Sequence, residues 1–310
     1  MTMRRPRRLR PGSRIAVVAP ASPFSREELE RGLQELRDLG FDPVVDPRTF
    51  ERQRYVAGSA RTRAAALTEA LEDPAIGAII GARGGYGSVQ VLPFLDPATI
   101  VAAAKPIIGY SDLTSLLQFV TLDCGLVSFH GPTVAGRLSG GEASYDRRTL
   151  LGALTSAAPL GELRPGSLAV VAPGDAAGVL LGGNLTQICA SLGTPFAFSP
   201  PPGFVFFIDE VNERPYRIDR LLTQVRLAGV LERAAAIVFG ELPGCDEPGG
   251  DLLAIDVVSE CLADFPGPIL WGFPSGHTRG AAWTLPLGVR CRVVAEPGAP
   301  ACVVEEAAVE

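Results

Sequence analysis

The first half of the chain alternates short apolar segments with amphipathic ones, and this alternation constrains the fold more than any other feature. Residues 14–20, RIAVVAP, are apolar almost throughout and predict a buried strand. Ser25 and Glu28 then form the pattern of a capping box. The helix that it opens would end at Gly40 and would bury one face of leucines, namely Leu29, Leu33 and Leu36.

The same alternation continues to residue 123. Strands are predicted at FDPVVDP, AIGAIIGAR and KPIIGYS, and helices at residues 59–73, 97–104 and 112–123. Apolar strands separated by helices are typical of a parallel sheet that is covered on both faces. We therefore predict an α/β domain with a doubly wound parallel sheet over residues 13–140.

The second half is less regular. Glycine, serine, alanine and proline dominate from about residue 140, so we predict a linker over residues 141–175. Residues 176–310 hold six apolar segments and one clear helical pattern at residues 216–228. This combination predicts a smaller C-terminal α+β domain.

Composition narrows the possible partners and location. Five arginines stand among the first ten residues, and the short apolar stretch after them is typical of a buried strand rather than a secretory signal. We interpret residues 1–12 as a solvated basic tail. The net charge of −6 and the lack of an apolar run of about eighteen residues argue against nucleic-acid and membrane partners.

Six cysteines are scattered along the chain without a Cys-x-x-Cys pair or neighbouring histidines. This spacing predicts no metal site and no redox pair, and it is typical of buried thiols in a reducing compartment. We expect a cytoplasmic protein without a cofactor that acts on small molecules.

Two segments that follow predicted strands carry candidate chemistry. The first is GARGGYGS, residues 81–88, whose glycines allow the backbone to approach a ligand closely. It has neither the phosphate-binding Gly-Lys-Ser/Thr ending nor the spacing of a dinucleotide site, and taken alone it is better explained by a flexible turn. The second is KPIIGYSDLTS, where Ser111 is either a helix cap or a nucleophile.

A serine nucleophile needs a base and a carboxylate that orients it. The chain has two histidines, His130 in VSFHGPT and His277 in GFPSGHTRG. The segment FVFFIDE supplies Asp209 and Glu210 at the end of an apolar strand. Each of these residues also has a structural explanation, such as a buried polar contact or a salt bridge.

Taken together, the motifs resemble those of the LD-carboxypeptidase family, the muramoyltetrapeptide carboxypeptidases. The resemblance runs over nearly the whole chain, in the order VVAPAS, GARGGYGS, IIGYSDLTSLL, FHGP, GVLLGGNLT with LGTP, NERPYRIDRLLTQVRLAGVL and GFPSGHT. It implies a serine peptidase with a Ser-Glu-His triad that is divided between an N-terminal and a C-terminal domain.

The resemblance assigns a role to each candidate residue. Ser111 would be the nucleophile and His277 the general base, with the backbone N–H groups of Gly85 and Asp112 as the oxyanion hole. The family has a glutamate followed by a second acidic residue, whereas this chain has Asp209 followed by Glu210. Alignment on the following Val-Asn-Glu places Asp209 at the glutamate position, and a shifted strand end would present Glu210 instead.

The resemblance implies hydrolysis of the L,D-peptide bond that releases terminal D-alanine from a murein tetrapeptide in peptidoglycan recycling. The substrate would be a free peptide or a muropeptide, and a homodimer is expected. Arginine binds carboxylates well, so Arg83 and Arg279 are candidates for the C-terminal carboxylate of the substrate. The alternatives are a microcin-immunity-type peptidase that cleaves an amide of a peptidyl or aminoacyl nucleotide, and a catalytically silent binding protein.

Overall fold

The computed structural model describes residues 3–310. Its strands are β1 (Arg14–Val18), β2 (Asp42–Val45), β3 (Ile76–Gly81), β4 (Ile107–Gly109), β5 (Ser128–His130), β6 (Gly161–Leu163), β7 (Ala169–Ala172), β8 (Gly174–Asn184), β9 (Phe204–Asp209), β10 (Ala234–Gly240), β11 (Ile269–Phe273), β12 (Leu285–Leu287), β13 (Arg290–Ala295) and β14 (Ala301–Val304). Its α-helices are α1 (Arg26–Asp38), α2 (Ala60–Glu72), α3 (Pro97–Ala103), α4 (Thr114–Gln118), α5 (Arg147–Thr155), α6 (Leu185–Ser191), α7 (Pro215–Leu227) and α8 (Ala254–Cys261).

The first sheet has six strands in the order β2-β1-β3-β4-β5-β12. Strands β1 to β5 are parallel to their neighbours, and β12 joins the edge antiparallel to β5. The predicted parallel α/β domain is therefore confirmed. The strand order reverses between β1 and β3, and ligands of such sheets bind beyond the carboxyl ends of the strands at this type of position.

Local sequence explains the first helices. The Ser25 hydroxyl accepts a hydrogen bond from the Glu28 backbone N–H at the start of α1. The three predicted leucines of that helix are buried in the core. Ser59 caps α2 in the same way, through the backbone N–H of Thr62. These elements match their predicted positions because their caps and apolar faces are encoded within a few residues.

The second sheet has eight strands in the order β6-β14-β13-β8-β9-β10-β11-β7. Its centre, from β8 to β11, is parallel, and the remaining pairings are antiparallel. The predicted second, C-terminal domain with strands of mixed direction is confirmed. The sequence predicts it as a smaller α+β domain, whereas its sheet has two strands more than the first. Helices α6 and α8 were not anticipated, and α7 lies at the predicted helical segment.

The region predicted as a linker contains regular structure. Helix α5 buries Leu150 and Leu154, strand β6 pairs with β14, and strand β7 pairs with β11. The prediction of a linker over residues 141–175 therefore needs correction. The glycines and prolines of this region serve tight connections between short elements, which composition alone does not distinguish from a flexible segment.

The basic N-terminal segment also packs against the body of the protein. Met3 and Leu9 are buried, and the Arg8 and Leu9 backbone N–H groups donate to the carbonyls of Glu310 and Leu154. Four of the five arginine side chains are exposed, as expected for solvated charge. The segment is thus docked through its backbone and apolar side chains, which corrects the prediction of a separate tail. Among residues 3–310, no helix has the length and apolar character needed to cross a bilayer.

Candidate active site

Ser111 lies where β4 ends and a single 3₁₀ turn, Ser111–Leu113, leads into α4. The N-terminal cap of that turn is Tyr110, so the position of Ser111 is not that of a helix cap. Its φ angle of 64° is in the left-handed region, which non-glycine residues rarely adopt. A strained serine at a strand-to-helix corner is the arrangement that exposes the hydroxyl of hydrolase nucleophiles.

The glycine-rich loop after β3 packs directly against Ser111. A Cβ atom added to Gly84 would lie 2.9 Å from the Ser111 Cβ, so only glycine permits this approach. Gly85 has a φ angle of 100°, and a Cβ there would lie 2.5 Å from the Ser22 hydroxyl. The Ser22 hydroxyl in turn accepts from the Tyr86 backbone N–H at 3.0 Å.

Two buried charged side chains hold this loop in place. The Asp112 carboxylate accepts from the backbone N–H groups of Gly87 at 3.2 Å and Ser88 at 2.8 Å. The Arg63 guanidinium donates to the carbonyls of Gly87 at 2.7 Å and Gly58 at 3.2 Å. The loop is therefore a fixed structure and not a flexible turn.

Burial perturbs both of these groups. Desolvation raises the pKa of Asp112 even though the Ser88 and Gly87 N–H groups oppose the shift. Desolvation likewise lowers the pKa of Arg63, which the Asp112 charge opposes. Asp112 also lies in the first turn of a helix, where backbone N–H groups lack intrahelical acceptors.

Asp209 and His277 form a hydrogen-bonded pair. Asp209 is fully buried at the end of β9, and its two oxygens accept from His277 Nδ1 at 2.7 Å and from the His277 backbone N–H at 3.0 Å. Burial lowers the pKa of His277, but the Asp209 carboxylate outweighs this effect, and the net shift is upward. Because Nδ1 faces Asp209, Nε2 is the ring nitrogen left to accept a proton.

Glu210 points away from this pair. Its carboxylate accepts from Asn184 Nδ2, from the Thr186 backbone N–H, both at 2.9 Å, and from the Thr186 hydroxyl at 2.7 Å. Burial raises the pKa of Glu210 against these hydrogen bonds. Adjacent strand residues face opposite sides, so Asp209 faces His277 while Glu210 faces the start of α6.

His130, the other histidine, is fully buried beside the pair. Its Nδ1 is 3.0 Å from the Ser275 hydroxyl, and its Nε2 is 4.0 Å from Asp209 Oδ2. Burial lowers the pKa of His130 to about 4, against the pull of the Asp209 charge. This imidazole is therefore neutral at physiological pH and packs against Phe207.

Tyr110 connects the two halves of the site. Its ring centroid is 5.1 Å from that of His277 and 6.1 Å from that of His130. Burial raises the pKa of Tyr110, and the positive charges of Arg137 and Arg83 oppose that shift. Tyr110 directly precedes Ser111 in the chain. The Asp209–His277 pair of the second domain therefore lies close to Ser111 of the first domain.

The candidate arginines differ in their surroundings. Arg83 is exposed, its Nη1 donates to the Pro23 carbonyl at 3.4 Å, and its charge acts on Tyr110. Arg279 is also exposed, and its backbone N–H donates to Glu241. Arg137, which sequence reasoning missed, binds the loop that carries His277. Across residues 3–310, no group of three or more His, Cys, Asp or Glu side chains could hold a metal ion.

Comparison with known proteins assigns the family. The LD-carboxypeptidase N-terminal domain model matches residues 15–131, and the LD-carboxypeptidase C-terminal domain model matches residues 177–293. The chain belongs to the LD-carboxypeptidase family. Both matched regions contain site residues described above, and the resemblance inferred from the motifs is confirmed.

Curated relatives cover nearly the full chain. A Streptomyces coelicolor relative is 37% identical over 298 residues, which is 95% of this chain and 94% of the relative. The murein tetrapeptide carboxypeptidase of Pseudomonas aeruginosa is 32% identical over 277 residues, with 87% and 90% of the two chains covered. Family membership supports hydrolase activity on a peptide substrate.

Solved structures agree on the fold. The microcin C7 self-immunity protein MccF, in complex with aspartyl sulfamoyl adenosine, superposes with a TM-score of 0.91 at 26% identity, and 99% of this chain and 100% of that chain are covered. The muramoyltetrapeptide carboxypeptidase of Oxalobacter formigenes superposes with a TM-score of 0.83 at 26% identity, with 94% and 99% covered.

Proposed function

We propose that this protein is a serine carboxypeptidase that releases the terminal D-alanine of a murein tetrapeptide. The observation that carries the proposal is the hydrogen bond between His277 Nδ1 and the buried Asp209 carboxylate, in a site where the His277 ring packs against Tyr110, the residue before the strained Ser111. Histidine held in this way by a carboxylate has one nitrogen free to remove a proton from a serine hydroxyl. The murein-directed relatives supply the substrate class.

In this mechanism Ser111 Oγ attacks the carbonyl carbon of the scissile bond while His277 Nε2 takes the hydroxyl proton. The backbone N–H groups of Gly85 and Asp112 stabilise the negative charge on the carbonyl oxygen. The C–N bond then breaks, and His277 returns the proton to the amine of D-alanine. Water hydrolyses the remaining ester through the same proton transfers in reverse, which restores Ser111.

Two features support Asp209 over Glu210 as the orienting acid. Asp209 accepts from both the ring and the backbone of His277. Glu210 is already occupied by donors from the start of α6. Aspartate is one methylene shorter than the glutamate that the resemblance implies, so it requires a closer approach of the His277 loop, and the 3.0 Å hydrogen bond from the His277 backbone N–H is consistent with such an approach.

Ser111→Ala tests the proposal. The purified protein and the variant are incubated with a murein tetrapeptide, and loss of D-alanine is followed by mass spectrometry. We expect the variant to fold normally and to lose activity by about a millionfold, because the other triad members cannot replace the nucleophile. Retention of more than a small fraction of activity would rule out Ser111 as nucleophile.

The same assay compares the tetrapeptide with its C-terminal amide. A carboxypeptidase prefers the free acid, and Arg83, whose charge acts on Tyr110, is the better placed arginine to recognise it. Arg83→Ala should reduce the ratio of kcat/KM for the free acid to kcat/KM for the amide. Arg279→Ala is the matched control. If the ratio is the same in both variants, Arg83 does not recognise the C-terminal carboxylate.

An aminoacyl sulfamoyl adenosine serves as the second substrate, since the fold neighbour MccF was solved with such a compound. Cleavage of this compound in preference to the tetrapeptide would assign the microcin-immunity type of activity. Binding without cleavage of either compound would assign a silent binding protein. We propose a cytoplasmic homodimer as the working form, which light scattering and cell fractionation would test.

A further inference from the structure

Arg137, a side chain of the N-terminal domain, forms hydrogen bonds to the loop that carries His277. Arg137 lies between β5 and α5, and its Nη2 donates to the backbone carbonyls of Gly276 at 3.1 Å and Thr278 at 2.6 Å. Its Nη1 donates to the carbonyl of Gly280 at 3.2 Å. Two of these three acceptors are the immediate neighbours of His277 in the chain.

The loop that Arg137 binds, residues 276–280, is packed tightly and has little room to move. Gly276 has a φ angle of 73°, and a Cβ atom there would lie 2.5 Å from Asp209 Oδ2 and 2.7 Å from His130 Cε1. The backbone before His277 therefore rests directly on the acid and on the buried histidine. A shift of this loop would change the distance between His277 and Asp209, or the distance between His277 and Ser111.

We propose that Arg137 is a positioning residue that fixes the His277 loop against the domain carrying Ser111. The inference rests on the proposed role of His277 as general base. The guanidinium is suited to this task because its donors form a rigid planar fork that can reach several carbonyls at once. A lysine ammonium at this position would keep the charge and lose the fork.

The positive charge of Arg137 also acts on the His277 imidazole. This charge lowers the pKa of His277 and opposes the Asp209 and Glu210 charges, which raise it. The titratable and charged groups near the His277 ring come from both domains, and they are Asp209, Glu210, His130, Tyr110 and Arg137. Removal of the Arg137 charge should therefore raise the His277 pKa further.

The test compares Arg137→Gln and Arg137→Lys with a surface control, Arg147→Gln. Arg147 pairs with the exposed Glu142 and is a matched loss of one arginine. We expect Arg137→Gln to lower kcat about 10- to 100-fold with KM changed by less than about threefold, since small misplacements of a catalytic group carry such costs. Arg137→Lys should recover part of the lost kcat.

Proton NMR supplies a readout that needs no substrate. The chain has two histidines, so the two ring signals can be assigned with a single His130 variant. The His277 pKa should rise in Arg137→Gln and stay near the wild-type value in Arg137→Lys. Hydrogen exchange of the amides at residues 277–280 should accelerate in both variants and remain unchanged in Arg147→Gln.

These measurements distinguish a failure of the proposed peptidase function from a failure of the positioning role of Arg137. If no peptide is turned over, the proposed function fails, and the NMR and exchange results alone decide whether Arg137 fixes the loop. Wild-type kcat in Arg137→Gln, or an effect confined to KM, would overturn the positioning role. Unchanged amide exchange in the loop would overturn it as well. If Arg137→Gln does not fold, Arg137→Lys still tests the loss of the planar fork through kcat and amide exchange, and wild-type values of both would overturn the positioning role.

Discussion

Asp209→Asn probes the centre of the proposed triad by exchanging one carboxylate oxygen for an amide NH₂ group. In the wild type the two oxygens of Asp209 accept from His277 Nδ1 and from the His277 backbone N–H. Asparagine has one accepting oxygen, so one of these two donors would face the NH₂ group. The ring would then lose either its orientation or the tautomer that leaves Nε2 free.

The expected loss of activity is large. Exchange of the orienting aspartate for asparagine in a serine triad costs about 10⁴-fold in kcat, which corresponds to about 5.5 kcal/mol of transition-state stabilisation. The His277 pKa should also fall. Burial lowers it in the wild type and the Asp209 carboxylate more than offsets that effect, so the variant retains the burial without the compensating charge.

The assay is a profile of kcat/KM from about pH 5 to pH 9, together with NMR titration of the two histidine rings. A general base is active when unprotonated, so activity rises with pH through the His277 pKa. In Asp209→Asn the residual activity should show this rise at lower pH, in step with the lower NMR pKa.

Glu210→Gln is the matched control, because it removes one carboxylate charge at the next residue. The introduced glutamine would present an NH₂ group to donors from Asn184 or Thr186, so the free energy of unfolding should fall by about 1–3 kcal/mol. Activity should stay within about tenfold of the wild type. A larger loss of kcat in Glu210→Gln than in Asp209→Asn would refute the assignment of Asp209 as the orienting acid.

Two further predictions follow from the packing of the site. Gly84→Ala should lower kcat and lower the free energy of unfolding in urea by about 1–3 kcal/mol, because the new methyl would lie 2.9 Å from the Ser111 Cβ and displace the loop; unchanged kcat would contradict the close contact. His130 has a folded pKa of about 4 against an ordinary value of 6.5, so the unfolded chain binds its proton first as pH falls. Between about pH 7 and pH 5 the wild type should therefore lose on the order of 2 kcal/mol more unfolding free energy than His130→Gln, since the other titrating groups, including His277, are common to both proteins.

Local sequence signals were sufficient for β1 to β4 of the first sheet and for the position of Ser111 after β4, but not for β12, which joins the sheet from residues 285–287. The caps of α1 and α2 and the apolar strands are encoded within a few residues, and parallel strands bring their carboxyl ends to one edge. The glycine loop and Ser111 consequently follow neighbouring strands, β3 and β4. Their contact is therefore predictable from the sequence.

Other features depend on partners that sequence does not identify. Alternation along β9 indicated that only one of Asp209 and Glu210 could face His277, but the strand end itself had to be located to decide which. No sequence pattern indicated a role for Arg137, because its acceptors are backbone carbonyls about 140 residues away in the chain. Residues 141–175 resembled a linker because short strands rich in small residues have no periodicity long enough to detect.

The division of the site between two domains has a physical consequence. Ser111 is held by the first sheet and its glycine loop, whereas His277 and Asp209 are held by the ends of strands in the second sheet. The distance between Ser111 and His277 therefore depends on how the two domains pack together. Strand β12, which follows the His277 loop and pairs with β5 of the first sheet, anchors the loop from its far end. Arg137 binds the loop on both sides of His277, so the proposed base is fixed to the domain of Ser111 at two points, and each can be weakened independently by substitution.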